Sequence, residues 1–156
     1  MFKLASLSVV LLAMTLFVVP AAAGPIGFSG YFAPANWTLG NGGTNGYVTP
    51  AAPSSIALYG SHNYGPAGGD YFVIQAPTDG TVSFSWDFED TPEEGYATFY
   101  AMENWNPVWV AGSTGQSGTY SFTINAGDWF GFDVGSIGIY NPYVNISNFD
   151  FVSATP

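Results

Sequence analysis

Five carboxylates crowd into eight positions of the chain and form its densest group of side chains that could do chemistry. Calcium takes about six to eight hard oxygen ligands, which carboxylates and loop carbonyls supply. No lysine or arginine lies in this part of the chain to compete for them. The segment is therefore a candidate calcium site, with calcium as the candidate cofactor. Its members are Asp87, Glu89, Asp90, Glu93 and Glu94.

The same acidic segment is open to two other interpretations. It could be a solvated acidic loop, or it could hold the two carboxyl groups that a glycosidase needs. Other catalytic patterns are missing: His62 is the only histidine, cysteine is absent, and the chain has no G-x-S-x-G motif. A structural zinc site is disfavoured for the same reason. We therefore predict a protein that is not an enzyme.

Aromatic residues beside asparagine form a second group. Trp105 and Trp109 lie within 104–109, and Tyr140 opens the segment 140–143. Aromatic side chains combine a large apolar surface with a polar edge, and exposed rings of this kind stack on sugars in carbohydrate-binding β-sandwiches. The alternative is that these rings cap the ends of the fold. A sugar site requires Trp105, Trp109 and Tyr140 to share one exposed face.

The charge balance excludes several classes of partner. Lys3 is the only lysine or arginine, against 11 aspartates and glutamates, and the net charge is −10. Nucleic-acid binding needs basic side chains to neutralise phosphates, and attraction to anionic lipid needs them too. We expect neither nucleic acid nor an anionic membrane surface as a partner.

The N-terminus has the pattern of a secretory signal peptide. Lys3 precedes an apolar run over 4–19, Pro20 ends that run, and three alanines follow at 21–23. The run is shorter than the roughly 20 residues that span a bilayer, so no membrane anchor is expected. The sequence thus predicts a secreted, extracellular protein with a signal peptide at 1–23, an extended segment at 24–34 and a β-sandwich domain at 35–156.

Short segments of alternating apolar and polar residues fill the predicted domain. The clearest runs from Thr81 to Phe88, and 71–75 before it is expected to be its hairpin partner. A second predicted pair consists of 120–124 and 130–134. In the last strand the apolar residues change parity, which predicts a bulge near Asn148. About eight to ten such strands indicate an all-β fold of two antiparallel packed sheets.

Four of these segments, 76–86, 112–122, 125–132 and 144–149, carry a resemblance to a known group. They resemble secreted bacterial CUB-like, jelly-roll β-sandwich domains of the kind found in exported proteins with a PEP-CTERM sorting tail. The resemblance implies a jelly-roll fold and loops able to bind calcium. The chain ends at Pro156 without a sorting tail, so we expect it to be released or held by its neighbours.

The leading functional hypothesis is a structural one: a self-assembling subunit of an extracellular filament or matrix. In this hypothesis the segment 24–34 stays extended and adds a strand to the sheet edge of the next molecule, through Phe28, Tyr31 and Phe32. The alternative is a carbohydrate-binding, adhesive β-sandwich module whose partner is an extracellular polysaccharide.

Overall fold

The computed structural model describes residues 24–41, 45–60, 69–89, 96–112, 115–137 and 142–154. The predicted signal peptide at 1–23 lies outside these ranges. In the described ranges, no helix has the length and apolar character needed to cross a membrane.

Two five-stranded antiparallel sheets make up the fold. Sheet A has the strand order β1-β4-β9-β6-β7, and sheet B has the order β2-β3-β10-β5-β8. The strands of sheet A are β1 (Thr38–Asn41), β4 (Gly69–Gln75), β9 (Trp129–Ile137), β6 (Tyr96–Glu103) and β7 (Asn106–Ala111). Those of sheet B are β2 (Tyr47–Ala51), β3 (Ser55–Tyr59), β10 (Tyr143–Ser153), β5 (Gly80–Glu89) and β8 (Gln116–Ile124).

The strand order is that of a jelly roll. Counting from β3 as the first strand, sheet B reads first, eighth, third, sixth, and sheet A continues as second, seventh, fourth, fifth. Strands β1 and β2 extend one edge of each sheet. The predicted all-β, two-sheet antiparallel sandwich is therefore confirmed.

Large aromatic side chains fill the space between the sheets. Trp37 lies at the centre of this core and stacks on Phe72 and Phe132, at ring-centroid distances of 5.0 and 5.6 Å. Its indole nitrogen donates a hydrogen bond to the carbonyl of Phe32. Aromatic rings bury a large apolar area each, which suits a chain that has no cysteine for disulfides. The largest fully buried rings are Phe28, Phe88, Phe99, Phe130, Phe132 and Phe149.

Both predicted hairpins are wrong, because the paired segments lie in different sheets. β4 and β5 are joined by residues 76–79, and β8 and β9 by 125–128, yet β4 and β9 belong to sheet A while β5 and β8 belong to sheet B. These two connections are arches that place two apolar faces against each other across the core. The arches also bind one another: the amide of Ala76 donates to the carbonyl of Asp128, and that of Ala126 donates to the Asp79 carboxylate.

The bulge predicted in the last strand is confirmed. The pairing of β10 with β5 shifts register between Ser147 and Asp150, and Asn148 has a φ of 49°. This shift lets Val144, Ile146, Phe149 and Phe151 all point into the core. In contrast, the side chains of strand β2 are mostly exposed and show little apolar pattern.

The N-terminal segment 24–34 differs from the extended conformation that we predicted. It contains a 3-10 turn at Gly30–Phe32, and a second follows at Pro34–Asn36. Phe28 and Phe32 lie in the core of their own chain, with Phe28 only 1% exposed and stacked on Phe149 at 5.0 Å. The amide of Phe28 donates to the carbonyl of Pro53. The segment thus covers an open side of its own sandwich.

Candidate ligand-binding face

The outer face of sheet A carries a row of side chains that crosses all five strands. Pairing registers place Gly40, Tyr71, Asp133, Tyr100 and Trp109 opposite one another in that order. Their neighbours along each strand, such as Phe72, Phe132 and Ala101, point into the core. The row therefore faces away from the core.

Trp105 reaches this face from the turn between β6 and β7. Asn104 and Trp105 have φ values of 49° and 64°, the combination that a two-residue turn of type I′ requires. The Trp105 ring lies 5.6 Å from Tyr71, edge to face, and 5.6 Å from Trp129. It thereby bridges β4 and β9 and remains 48% exposed.

Two apolar side chains beneath these rings are buried although they point away from the core. Val73 and Met102 are 0% and 6% exposed, and both are paired with Gly131 on β9. Val73, Gly131 and Met102 form one row across the sheet, and this row lies between the row of Tyr71 and the row of Trp129. Trp105 contacts the rings of both Tyr71 and Trp129. The rings thus bury a small apolar layer on the outer face of sheet A, which holds them in place.

Glycines make room for the polar and aromatic groups of this face. A Cβ atom at Gly40 would overlap the ring of Tyr71, and one at Gly69 would overlap the carboxylate of Asp133. At Gly135, a Cβ would approach Thr98 to 2.8 Å and Tyr100 to 3.8 Å. Because Gly69 pairs with Gly135, the row next to Asp133 has no side chain on either β4 or β9.

Asp133 has an unusual electrostatic environment. Its Oδ1 atom is buried and has no hydrogen-bond partner among the described residues. Burial raises the pKa of Asp133 to about 6, and the negative charge of Asp70 adds to the increase. Asp70 is itself fully buried on the other face of β4, where it packs over Gly46. The site thus contains one carboxyl group that is held partly out of water.

We call the set Tyr71, Tyr100, Trp105, Trp109, Trp129 and Asp133 the aromatic face. Of the predicted ligand-binding residues, Trp105 and Trp109 both belong to it, and Tyr140 lies outside the described residues. Sequence reasoning missed Tyr71, Tyr100 and Trp129. Along their strands they alternate with core residues, and this alternation was the signal that could have placed them on an outer face.

The predicted calcium site is only partly within the described residues. Asp87 and Glu89 are on β5, where both alternate with the buried Phe88 and lie on the outer face of sheet B. Asp90, Glu93 and Glu94 fall outside the described residues. In the part of the chain that the structure describes, no three potential metal ligands come together. The calcium site stays a prediction.

The outer face of sheet B is chemically different. Its centre is a shallow groove of about 260 Å³ in which residues with hydroxyl and amide groups alternate with aromatic residues; the lining includes Ser83, Ser85, Thr119, Asn148, Phe84 and Tyr120. At one end Tyr47, Tyr59 and Tyr143 stack on each other, with centroid distances of 4.4 and 5.0 Å. Because these rings stack face to face, the ring faces between them are not available to a ligand.

No protein-family model matches the chain, and no curated protein matches it. Among solved structures, it is similar to the module TmCBM61 in complex with β-1,4-galactotriose: 11% identity, 85% of this chain and 100% of that one covered, TM-score 0.46. It is also similar to a cleaved adhesin domain of Lys-gingipain from Porphyromonas gingivalis, with 12% identity, 78% of this chain and 93% of that one covered, and a TM-score of 0.44. A third similar structure is a xylan-binding domain from Paenibacillus barcinonensis, with 13% identity, 77% of this chain and 88% of that one covered, and a TM-score of 0.42. At these values, nothing about the ligand of this chain follows from the likeness.

Proposed function

We propose that this chain is a secreted, non-catalytic carbohydrate-binding module whose ligand lies on the aromatic face. The observation that carries the proposal is the concentration of five aromatic rings on the outer surface of one sheet, with Trp109 60% exposed and Trp105 48% exposed. The N-terminal sequence pattern at 1–23 supports export, and kinship with CUB-like modules remains a hypothesis.

The geometry suits an extended, partly apolar ligand. Rings with one exposed side offer stacking surfaces for the C–H faces of sugar rings, while polar groups at their edges meet hydroxyl groups. Neighbouring strands lie about 4.8 Å apart, so the row from Gly40 to Trp109 crosses roughly 19 Å. A row of this length can contact several linked sugars rather than one.

The charge of the chain limits the kind of glycan. The described residues contain no lysine or arginine, so an acidic polysaccharide would find no basic side chain among them and would be repelled by Asp133. The proposed ligand is therefore a neutral or a basic glycan.

The filament hypothesis has less support. Its proposed contact residues, Phe28 and Phe32, are buried in the core of their own chain, and Tyr31 donates a hydrogen bond to the carbonyl of Gln75. A segment with these contacts would have to leave its own core before it could add to another sheet.

A glycan array probed with the protein of residues 24–156 tests the proposal. We expect binding to one class of extended polysaccharide, and at least a tenfold loss of affinity in Trp109→Ala and Tyr100→Ala, which is about 1.4 kcal/mol. Tyr47→Ala is the matched control, since Tyr47 is an exposed aromatic residue on sheet B. Absence of binding across the array, or equal losses in all three variants, would overturn the proposal.

A further inference from the structure

Asp133 is a partly buried carboxyl group in the middle of the aromatic face. It lies on β9, the central strand of sheet A, and its buried Oδ1 atom accepts no hydrogen bond from any described residue. A carboxylate oxygen that is buried without a partner costs free energy, and proteins ordinarily pair such groups with a cation or hydrogen-bond donors. The described residues offer no lysine, arginine or histidine for this purpose. A bound ligand can supply such a cation.

Aromatic rings flank this carboxyl group on both sides. Tyr71 on β4 and Tyr100 on β6 are directly opposite Asp133 in the two pairing registers, and Trp109 is opposite Tyr100 on the next strand. A cation near the face of such a ring is attracted by its quadrupole, and the attraction is stronger where water is displaced. A carboxylate between aromatic rings is therefore a favourable environment for an ammonium group.

A second carboxylate favours a cation over a neutral donor. The charge of Asp70 acts on Asp133 through the sheet and raises its pKa together with burial. A sugar hydroxyl could donate a hydrogen bond to Asp133, but it would leave the repulsion between the two carboxylates unchanged. An ammonium group supplies hydrogen-bond donors and also a positive charge that reduces this repulsion.

We propose that the aromatic face recognises a polysaccharide that carries free amino groups, of the β-linked glucosamine type, with an ammonium group of the sugar donating to Asp133. This inference rests on the proposed carbohydrate-binding function and names the chemical class of its ligand. The rings supply stacking along the polymer, and Asp133 selects the charged substituent.

Three β-1,4-linked oligosaccharides of equal length form a matched series for the test. A cellulose oligomer, a chitin oligomer and its fully deacetylated form differ at the second carbon of each sugar: hydroxyl, acetamide or ammonium. Isothermal titration calorimetry with residues 24–156 should show the deacetylated oligomer binding at least tenfold more tightly than the other two. Asp133→Asn should remove this preference, and nuclear magnetic resonance should show the pKa of Asp133 falling when the ligand binds.

General attraction to an acidic protein must be separated from recognition at this site. Asp87→Asn removes one exposed carboxylate from the other sheet and should leave the preference intact. If the neutral oligomers bind as tightly as the deacetylated one, or if Asp87→Asn and Asp133→Asn weaken binding equally, the inference is wrong while carbohydrate binding stands. If none of the three oligomers binds, the inference is also wrong, and the glycan array then decides the proposed function independently.

Discussion

The carboxylate of Asp133 lies against the Cα atom of Gly69 on the neighbouring strand, so closely that a side chain at position 69 would occupy the same space. Gly69 and Gly135 pair across β4 and β9, so the row next to Tyr71 and Asp133 has no side chain on these two strands. The position and burial of Asp133 therefore depend on the absence of a side chain at its neighbour.

Substitution Gly69→Ala should displace the Asp133 carboxyl group toward solvent. Because the overlapping atoms are the end of a side chain, we expect a modest loss of stability, on the order of 1 kcal/mol. The pKa of Asp133 should fall toward its ordinary value, which nuclear magnetic resonance titration measures. Gly131→Ala is the contrasting variant, since its Cβ would meet backbone atoms of Phe72 and Val73 and should destabilise the fold more strongly. An unchanged pKa in Gly69→Ala would contradict this account.

Asp133→Asn should change how stability depends on pH. The folded pKa is about 6, above the ordinary value of 3.8, so the folded state binds more protons than the unfolded state between these values. The contribution of Asp133 to the free energy of unfolding is complete below pH 3.8 and is lost as pH rises through 6. The loss amounts to up to about 3 kcal/mol.

Denaturant unfolding of wild type and Asp133→Asn across this pH range measures the effect. We expect the variant to lose less stability than wild type between pH 4 and 7, because asparagine does not ionise. Asp128→Asn serves as a control at a turn residue outside the aromatic face. Parallel pH profiles for wild type and Asp133→Asn would show that Asp133 titrates normally.

Trp105 and Trp109 should differ in what their loss does to stability. Trp105 packs on Tyr71 and Trp129, whereas Trp109 is 60% exposed. Trp105→Asn keeps a residue that tolerates positive φ and removes only the ring, so it should cost about 1 to 2 kcal/mol. Trp109→Ala should cost under about 0.5 kcal/mol. Urea unfolding distinguishes the two, and equal costs would mean that the Trp105 ring packs no better than that of Trp109.

Phe28→Ala should strongly destabilise the monomer. The side chain is buried and packs on Phe149, Trp37 and Phe132, and removal of a buried phenylalanine ring costs about 3 to 5 kcal/mol. Ile26→Ala, at a neighbouring exposed residue, should have little effect. Thermal unfolding together with the sedimentation velocity of each variant checks this. A fully stable monomer after Phe28→Ala would instead favour the strand-donation hypothesis.

The calcium hypothesis for the acidic segment predicts a stability difference between calcium and a chelator. Binding to the folded state alone raises stability according to the ligand concentration relative to its dissociation constant. We expect the melting temperature to rise with calcium in wild type and to be insensitive to calcium when Asp87 and Glu89 are replaced by Asn and Gln. Differential scanning fluorimetry measures both. A wild-type melting temperature that is the same with calcium and chelator would remove calcium as a cofactor.

The sequence by itself determined most of the strands and the two-sheet sandwich. Alternation of apolar and polar residues has the period of a strand, so the segment around Phe84 could be identified locally. Near Asn148 the apolar residues change from one set of alternate positions to the other, and this change correctly predicted the bulge. The two aromatic residues of the face that sequence reasoning found, Trp105 and Trp109, were recognised because they lie in a segment that reads as a loop.

Only the tertiary structure decided which strands pair and which side chains share a face. An arch and a hairpin have the same local pattern, because both join two strands that each bury one face, and the choice depends on packing across the core. For the same reason Tyr71, Asp133 and Tyr100, which are far apart in sequence, form one row only through the pairing of β4, β9 and β6. Register between strands is a property of the whole sheet, and no single segment of the sequence contains it.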